Sequence, residues 1–111
     1  MLALSKGDIV IAYFPQEDNS AVNLRPCLVL SVEEDHFLAA KITTTALHRI
    51  WTYKLPEGRE ATSSGCIQKD SWINLRRCET IPIQDAKRIV ATLKPGILTA
   101  IFAKLTGIID I

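Results

Sequence analysis

The sequence predicts a mainly β (α+β) protein, a small and strongly bent barrel of about five to seven short strands with a C-terminal amphipathic helix on its side. Short apolar runs of strand length recur through residues 7–93, punctuated by Pro, Gly and acidic turns. The first of these runs is too continuously apolar for a sheet with one solvated face. A helical stripe then closes the chain, where Ile97, Leu98, Ile101, Phe102, Leu105, Ile108 and Ile109 recur at i, i+3 and i+4 spacing.

Residues 7–14 read as the first strand, and Pro15 with the polar stretch 16–20 ends it in a loop. The second strand spans 26–32, with Arg25 at its mouth and Pro26 fixing the backbone beside it. Glu33-Glu34-Asp35 makes the next turn. The third strand, 37–43, sets Leu38, Ala40 and Ile42 on one face and Phe37, Ala39, Lys41 and Thr43 on the other. Thr43-Thr44-Thr45 favours extended backbone because all three are β-branched. A short fourth strand is expected at 51–55 before the turn Pro56-Glu57-Gly58. Residues 66–70 and 71–75 read as two strands with little between them. Over 80–93 a strand is expected, although Asp85 is a possible helix cap. Pro95 suits the first turn of the final helix. No repeat or linker divides the chain, so 1–111 is expected to form a single domain.

Composition narrows the function classes. With 48% hydrophobic and 23% charged residues, the chain is of ordinary globular composition rather than disordered. Its apolar runs fall short of the ~18 residues a membrane span needs. Residues 1–6 are too short for a secretory signal, so a cytoplasmic location is expected and a membrane partner is not. Cys27, Cys66 and Cys78 lack C-x-x-C spacing, and His36 and His48 are the only imidazoles. Reduced thiols, no metal and no cofactor follow as expectations. The net charge of +1 hides an asymmetry: residues 1–40 carry two cations against six carboxylates, residues 41–111 eleven against six. That distribution suits a basic groove.

Polar residues cluster at predicted strand ends. Arg25 begins the second strand, Thr43 ends the third, and Gln68-Lys69-Asp70 ends a later one. In a small barrel such ends converge on one rim, bringing together a cation, a hydroxyl and a carboxylate. Each alone has a plainer reading: a surface arginine, a strand threonine, a turn carboxylate. His48 and Arg49, with Lys54 and Arg59, read more readily as a solvated basic loop, and Trp51, which could stack on a base, more readily as core or dimer interface. The set contains no Cys/His or Ser/His nucleophile pair and no glycine-rich phosphate loop. It suits a reaction whose nucleophile lies on the substrate, as when the 2′-hydroxyl of RNA attacks its own phosphate.

The order Lys6-Gly7-Asp8-Ile9-Val10, then Arg25-Pro26-Cys27-Leu28-Val29-Leu30-Ser31, then Lys41-Ile42-Thr43-Thr44, resembles the PemK/MazF family of type II toxin–antitoxin endoribonucleases. The likeness continues through Ser71-Trp72-Ile73-Asn74-Leu75 and the closing helix. It implies an SH3-like barrel, a homodimer, metal-independent cleavage of single-stranded RNA, and neutralisation by a cognate antitoxin. The family's strand-start arginine falls on Arg25, its strand-end threonine on Thr43, and its R-x-D acid–base pair on Gln68 and Asp70. Arg25, Thr43, Asp70 and Gln68 are therefore the expected catalytic positions, with the general acid left among Arg25, Lys69 and His48. Lys41, Thr44, His48, Arg49 and Lys69 are the expected RNA contacts, and further contacts are expected in the loop 17–23. Two rival readings stand beside it. One is a topoisomerase poison like CcdB, which the Thr106-Gly107-Ile108-Ile109-Asp110-Ile111 ending disfavours because it lacks a tryptophan. The other is a barrel that binds RNA or antitoxin with weakened catalysis, which the neutral Gln68 favours.

Overall fold

Strands with apolar residues at consecutive positions need cover on both faces, and this chain supplies it by curling its sheet. A computed structural model describes residues 2–15 and 22–109. Its strands are β1 (Asp8–Pro15), β2 (Val22–Val32), β3 (His36–Thr43), β4 (Thr52–Leu55), β5 (Thr62–Gly65), β6 (Ser71–Pro82) and β7 (Ala86–Leu93), followed by α1 (Pro95–Ile109). All pair antiparallel in one seven-stranded sheet ordered β4-β6-β3-β2-β1-β7-β5. β6 runs through a single 3₁₀ turn, Ile83–Asp85, straight into β7. The row β6-β3-β2-β1-β7 therefore returns on itself as a small barrel. Arg77 of β6 ties that seam, donating from Nη2 to the Pro15 carbonyl at 2.9 Å, pairing with Glu79 and lying over the Phe14 ring.

Alternate residues of each strand feed two cores. Val10, Ala12, Phe14, Cys27, Val29, Phe37, Ala39, Ile81, Ile83 and Ala86 fill the barrel interior, with Leu2 and Leu4 packed against it. Ile9, Leu28, Leu30, Ala40, Ile42, Ile73 and Leu75 face the other way and meet Ile101 of α1, which is fully buried. Burial pushes the Cys27 thiol up to about 12, so it behaves as an inert core residue.

Asp8 is the polar exception in the first strand, 5% exposed. Its carboxylate accepts from the Ser5 amide at 2.8 Å and from the Thr92 hydroxyl at 2.9 Å, joining the N-terminal turn to β7. Asp8→Ala leaves both donors short of a partner and is expected to cost about 1–3 kcal/mol, read as a lower urea midpoint.

Several expected boundaries shift. β2 begins at Val22, so Arg25 lies within a strand rather than at its mouth; Val22, Asn23 and Leu24 join it by pairing with Pro15, Phe14 and Tyr13. Thr44 and Thr45 bend instead of extending, because the Thr43 hydroxyl accepts the Thr45 amide at 3.1 Å and turns the chain. Residues 66–70 are not a strand: Ile67 makes one isolated bridge to Gly58, and the strand in this region is Thr62–Gly65. The 71–75 strand continues to Pro82, and the expected strand over 80–93 is interrupted by the turn at Ile83–Asp85. The polar loop expected over 16–20, and most of 17–23, lies outside the described residues.

Candidate active site

The barrel-interior face changes character along β2 and β3. On β2 the sequence on that face is Val29, Cys27, Arg25; on β3 it is Phe37, Ala39, Lys41, Thr43. The change occurs at one rung, Cys27↔Lys41, which is also the last β2–β3 pair. Beyond that rung, two residues further along the same face of each strand, lie Arg25 on β2 and Thr43 on β3. The apolar side chains thus fill the barrel, and the polar ones gather where its strands begin to splay. Arg25 is exposed, and its backbone is held against Ala12 of β1. Thr43 is half-buried; with its oxygen taken up by the Thr45 amide, its O–H remains to donate outward.

β6 and β4 extend this face. Thr43 pairs with Trp72, and Trp72 pairs with Lys54. The alternate positions Ile42, Ile73 and Tyr53 belong to the core beneath α1, which leaves Thr43, Trp72 and Lys54 on the opposite side with Lys41 and Asn74. The Lys54 ammonium sits 5.6 Å from the Trp72 ring centroid and 3.7 Å from Asp70 Oδ2. Asp70 Oδ1 accepts the Glu57 amide at 2.8 Å, which fixes the carboxylate at the start of β6. The His48 ring meets Trp72 edge-on, with centroids 6.3 Å apart. One face therefore carries cations from β2, β3 and β4, a threonine hydroxyl, an imidazole and a carboxylate. Such a face can hold a phosphate and move protons beside it.

The structure sets Lys41, Thr43, His48 and Asp70 around the Trp72–Lys54 row, and Arg25 lies on β2 two residues past the last β2–β3 pair. Thr44 is exposed on the bend next to Thr43, and Arg49 is exposed at the loop before β4, where its backbone is held by Thr52. Lys69 is exposed, and its carbonyl accepts the Ser71 hydroxyl at 2.8 Å. Gln68 is exposed too, with its amide nitrogen 3.8 Å from Cys66 Sγ. Trp51 is stacked by Arg76, whose guanidinium carbon lies 4.8 Å from its ring centroid.

From the sequence Lys54 reads only as part of a solvated basic loop and Trp72 only as part of the Ser71–Leu75 motif, and neither is given a place in the site. The signal was the alternation in β4 and β6, which places both on the polar side once the strands are in register. Among the described residues no group of three or more His, Cys, Asp and Glu side chains could hold a metal ion, and no helix is long and apolar enough to cross a membrane.

A family model described as PemK-like, MazF-like toxin of type II toxin–antitoxin system matches residues 5–109. No curated protein sequence matches the chain. Among solved structures, MazF (Form-I) from Deinococcus radiodurans superposes with a TM-score of 0.73 at 19% identity, covering 100% of both chains. The Mycobacterium tuberculosis toxin MazF-mt6 gives 0.69 at 22% identity, over 94% of this chain and 97% of that one. An endoribonuclease from a mycobacterial species, solved in complex with its cognate antitoxin, gives 0.69 at 15% identity over 98% and 97%. At these identities the likeness is one of fold.

Proposed function

Since the chain belongs to the PemK-like, MazF-like toxins of type II toxin–antitoxin systems, we propose that it is a sequence-specific endoribonuclease. It cleaves single-stranded mRNA in the cytoplasm without a metal ion, works as a homodimer, and is held inactive by a cognate antitoxin. The names of its structural neighbours, an endoribonuclease bound to its antitoxin among them, support that assignment. The observation that supports it best is the abrupt change from apolar to polar at the Cys27↔Lys41 rung, beyond which Arg25 and Thr43 follow on the same face of their strands.

The chemistry needs no nucleophile from the protein. The substrate's 2′-oxygen attacks the adjacent phosphorus, the O2′–P bond forms, and the P–O5′ bond breaks. A 2′,3′-cyclic phosphate and a free 5′-hydroxyl result. Asp70 accepts the 2′ proton; Thr43 donates to a non-bridging oxygen and orients the phosphate. Arg25 stabilises the charge that builds on the phosphorane with its planar pair of donors. A donor on the same face, His48 or Lys69, returns a proton to O5′. Lys41, Thr44 and Arg49 hold the flanking RNA backbone.

Incubating the purified protein with a long single-stranded RNA in EDTA, and mapping new 5′ ends, tests the assignment. Cuts should recur at one short sequence, leave 5′-hydroxyl ends, and vanish when the nucleotide 5′ to the cut carries a 2′-deoxyribose. RNA binding without cleavage would identify a binding barrel instead, the reading that the neutral Gln68 favours.

A further inference from the structure

We propose that Lys54 is a catalytic residue of this site, supplying a second cation to the scissile phosphate from β4. The proposal rests on the endoribonuclease function above and names a residue that acts in it. Thr43, Trp72 and Lys54 occupy one row across β3, β6 and β4. Adjacent strands lie about 4.8 Å apart, so the outer two backbones are roughly 10 Å apart with the Trp72 side chain between them, and the Lys54 ammonium lies over that ring on the same face as Thr43.

The ammonium is placed by two contacts, the Trp72 ring at 5.6 Å and Asp70 Oδ2 at 3.7 Å. Both are weak at an exposed site, and about half of each partner's side-chain surface remains open (55% for Lys54, 51% for Asp70). Lys54 is therefore pre-positioned but not consumed. An ammonium has three N–H donors, and a single carboxylate oxygen leaves others free for a phosphate oxygen. A structural ion pair would instead be expected to be shorter and dry. Among the described residues, Lys54 is the cation in salt-bridge contact with Asp70, whereas Gln68 in the same segment is neutral. The charge beside the candidate base is thus delivered from a different strand. Lys54 transfers no proton in this role: it stabilises the non-bridging oxygens as O2′–P forms and P–O5′ breaks.

The test uses the full chain and an RNA oligomer carrying one mapped cut site. Lys54→Met should lower kcat by about 10²–10³-fold with an unchanged melting temperature. Lys54→Arg should keep most of the activity. Adding Gln68→Arg to Lys54→Met should recover part of the loss by restoring a cation two residues from Asp70. Lys54→Met cleaving within about threefold of the unsubstituted protein would overturn the proposal and leave the endoribonuclease function standing. A loss shared by Lys54→Arg, with a lowered melting temperature and no recovery by Gln68→Arg, would assign Lys54 a structural role and overturn it equally. Absence of cleavage by the unsubstituted protein would remove the endoribonuclease function, and this role with it.

Discussion

Arg25→Ala is expected to lower RNA cleavage by about a hundredfold to a thousandfold, the range for removing one well-placed donor to a developing anion. The fold should not notice. Arg25 is exposed, its strand is held by backbone pairing to Ala12, and the buried residues that anchor β2 begin at Cys27. The melting temperature of the variant should therefore stay within about 3 °C of the unsubstituted protein, since an exposed substitution of this kind changes stability by about 0.5 kcal/mol or less. Arg25→Lys should fall between the two. It keeps the charge and loses the planar fork that can grip two phosphoryl oxygens together. Single-turnover cleavage of one oligomer, compared across the three proteins, measures this directly. Full activity in Arg25→Ala would place the phosphate elsewhere on the molecule.

Arg25 also shows what could be read from the residues and what could not. Its place on the polar side of β2 follows from alternation with Cys27 and Val29, which the apolar run 27–30 makes readable. Its place inside a strand was hidden, because Val22, Asn23 and Leu24 have no strand pattern of their own and extend only by pairing with the end of β1. The same cause hides β5. Thr62-Ser63-Ser64-Gly65 carries no apolar alternation, and it becomes a strand through its register with β7. Residues 66–70 fail in the opposite direction: Ile67 lends the segment an apolar look, yet one bridge to Gly58 is all the pairing it makes. The closing helix was legible from its stripe, since α1 buries Ile101 and packs Ile97, Phe102, Leu105 and Ile108 on the sheet. The adjacency of Lys54 and Trp72 was out of reach for a different reason. Eighteen positions separate them, and only the β4–β6 register makes them neighbours.

Gly65→Ala should be the most damaging methyl added at any of the five glycines. Gly65 has φ +70°, and a Cβ placed on it would lie 2.3 Å from the Val90 carbonyl oxygen and 2.7 Å from the Ala91 Cα. Both obstacles are backbone, so no rotamer change relieves them; β5 must move away from β7. The left-handed conformation adds its own penalty for a residue with a side chain. Together these should cost about 3 kcal/mol, which lowers the melting temperature of a domain this size by roughly 10–20 °C. Gly58→Ala is the internal control. Its φ of +103° carries the conformational penalty, but nothing lies within 4 Å of the added methyl, so it should cost markedly less. The damage from Gly65→Ala should also spread to catalysis. The chain passes from Gly65 through Gln68 and Lys69 to Asp70 with one bridge between, so lifting β5 loosens the segment that holds the carboxylate against the Glu57 amide and Lys54. At 20 °C, with the barrel still folded, cleavage should fall while the amide of Thr92, on the β5 side of β7, exchanges faster with solvent. A Gly65→Ala protein that melts with Gly58→Ala and cleaves normally would show that β5 can leave β7 without disturbing the rim.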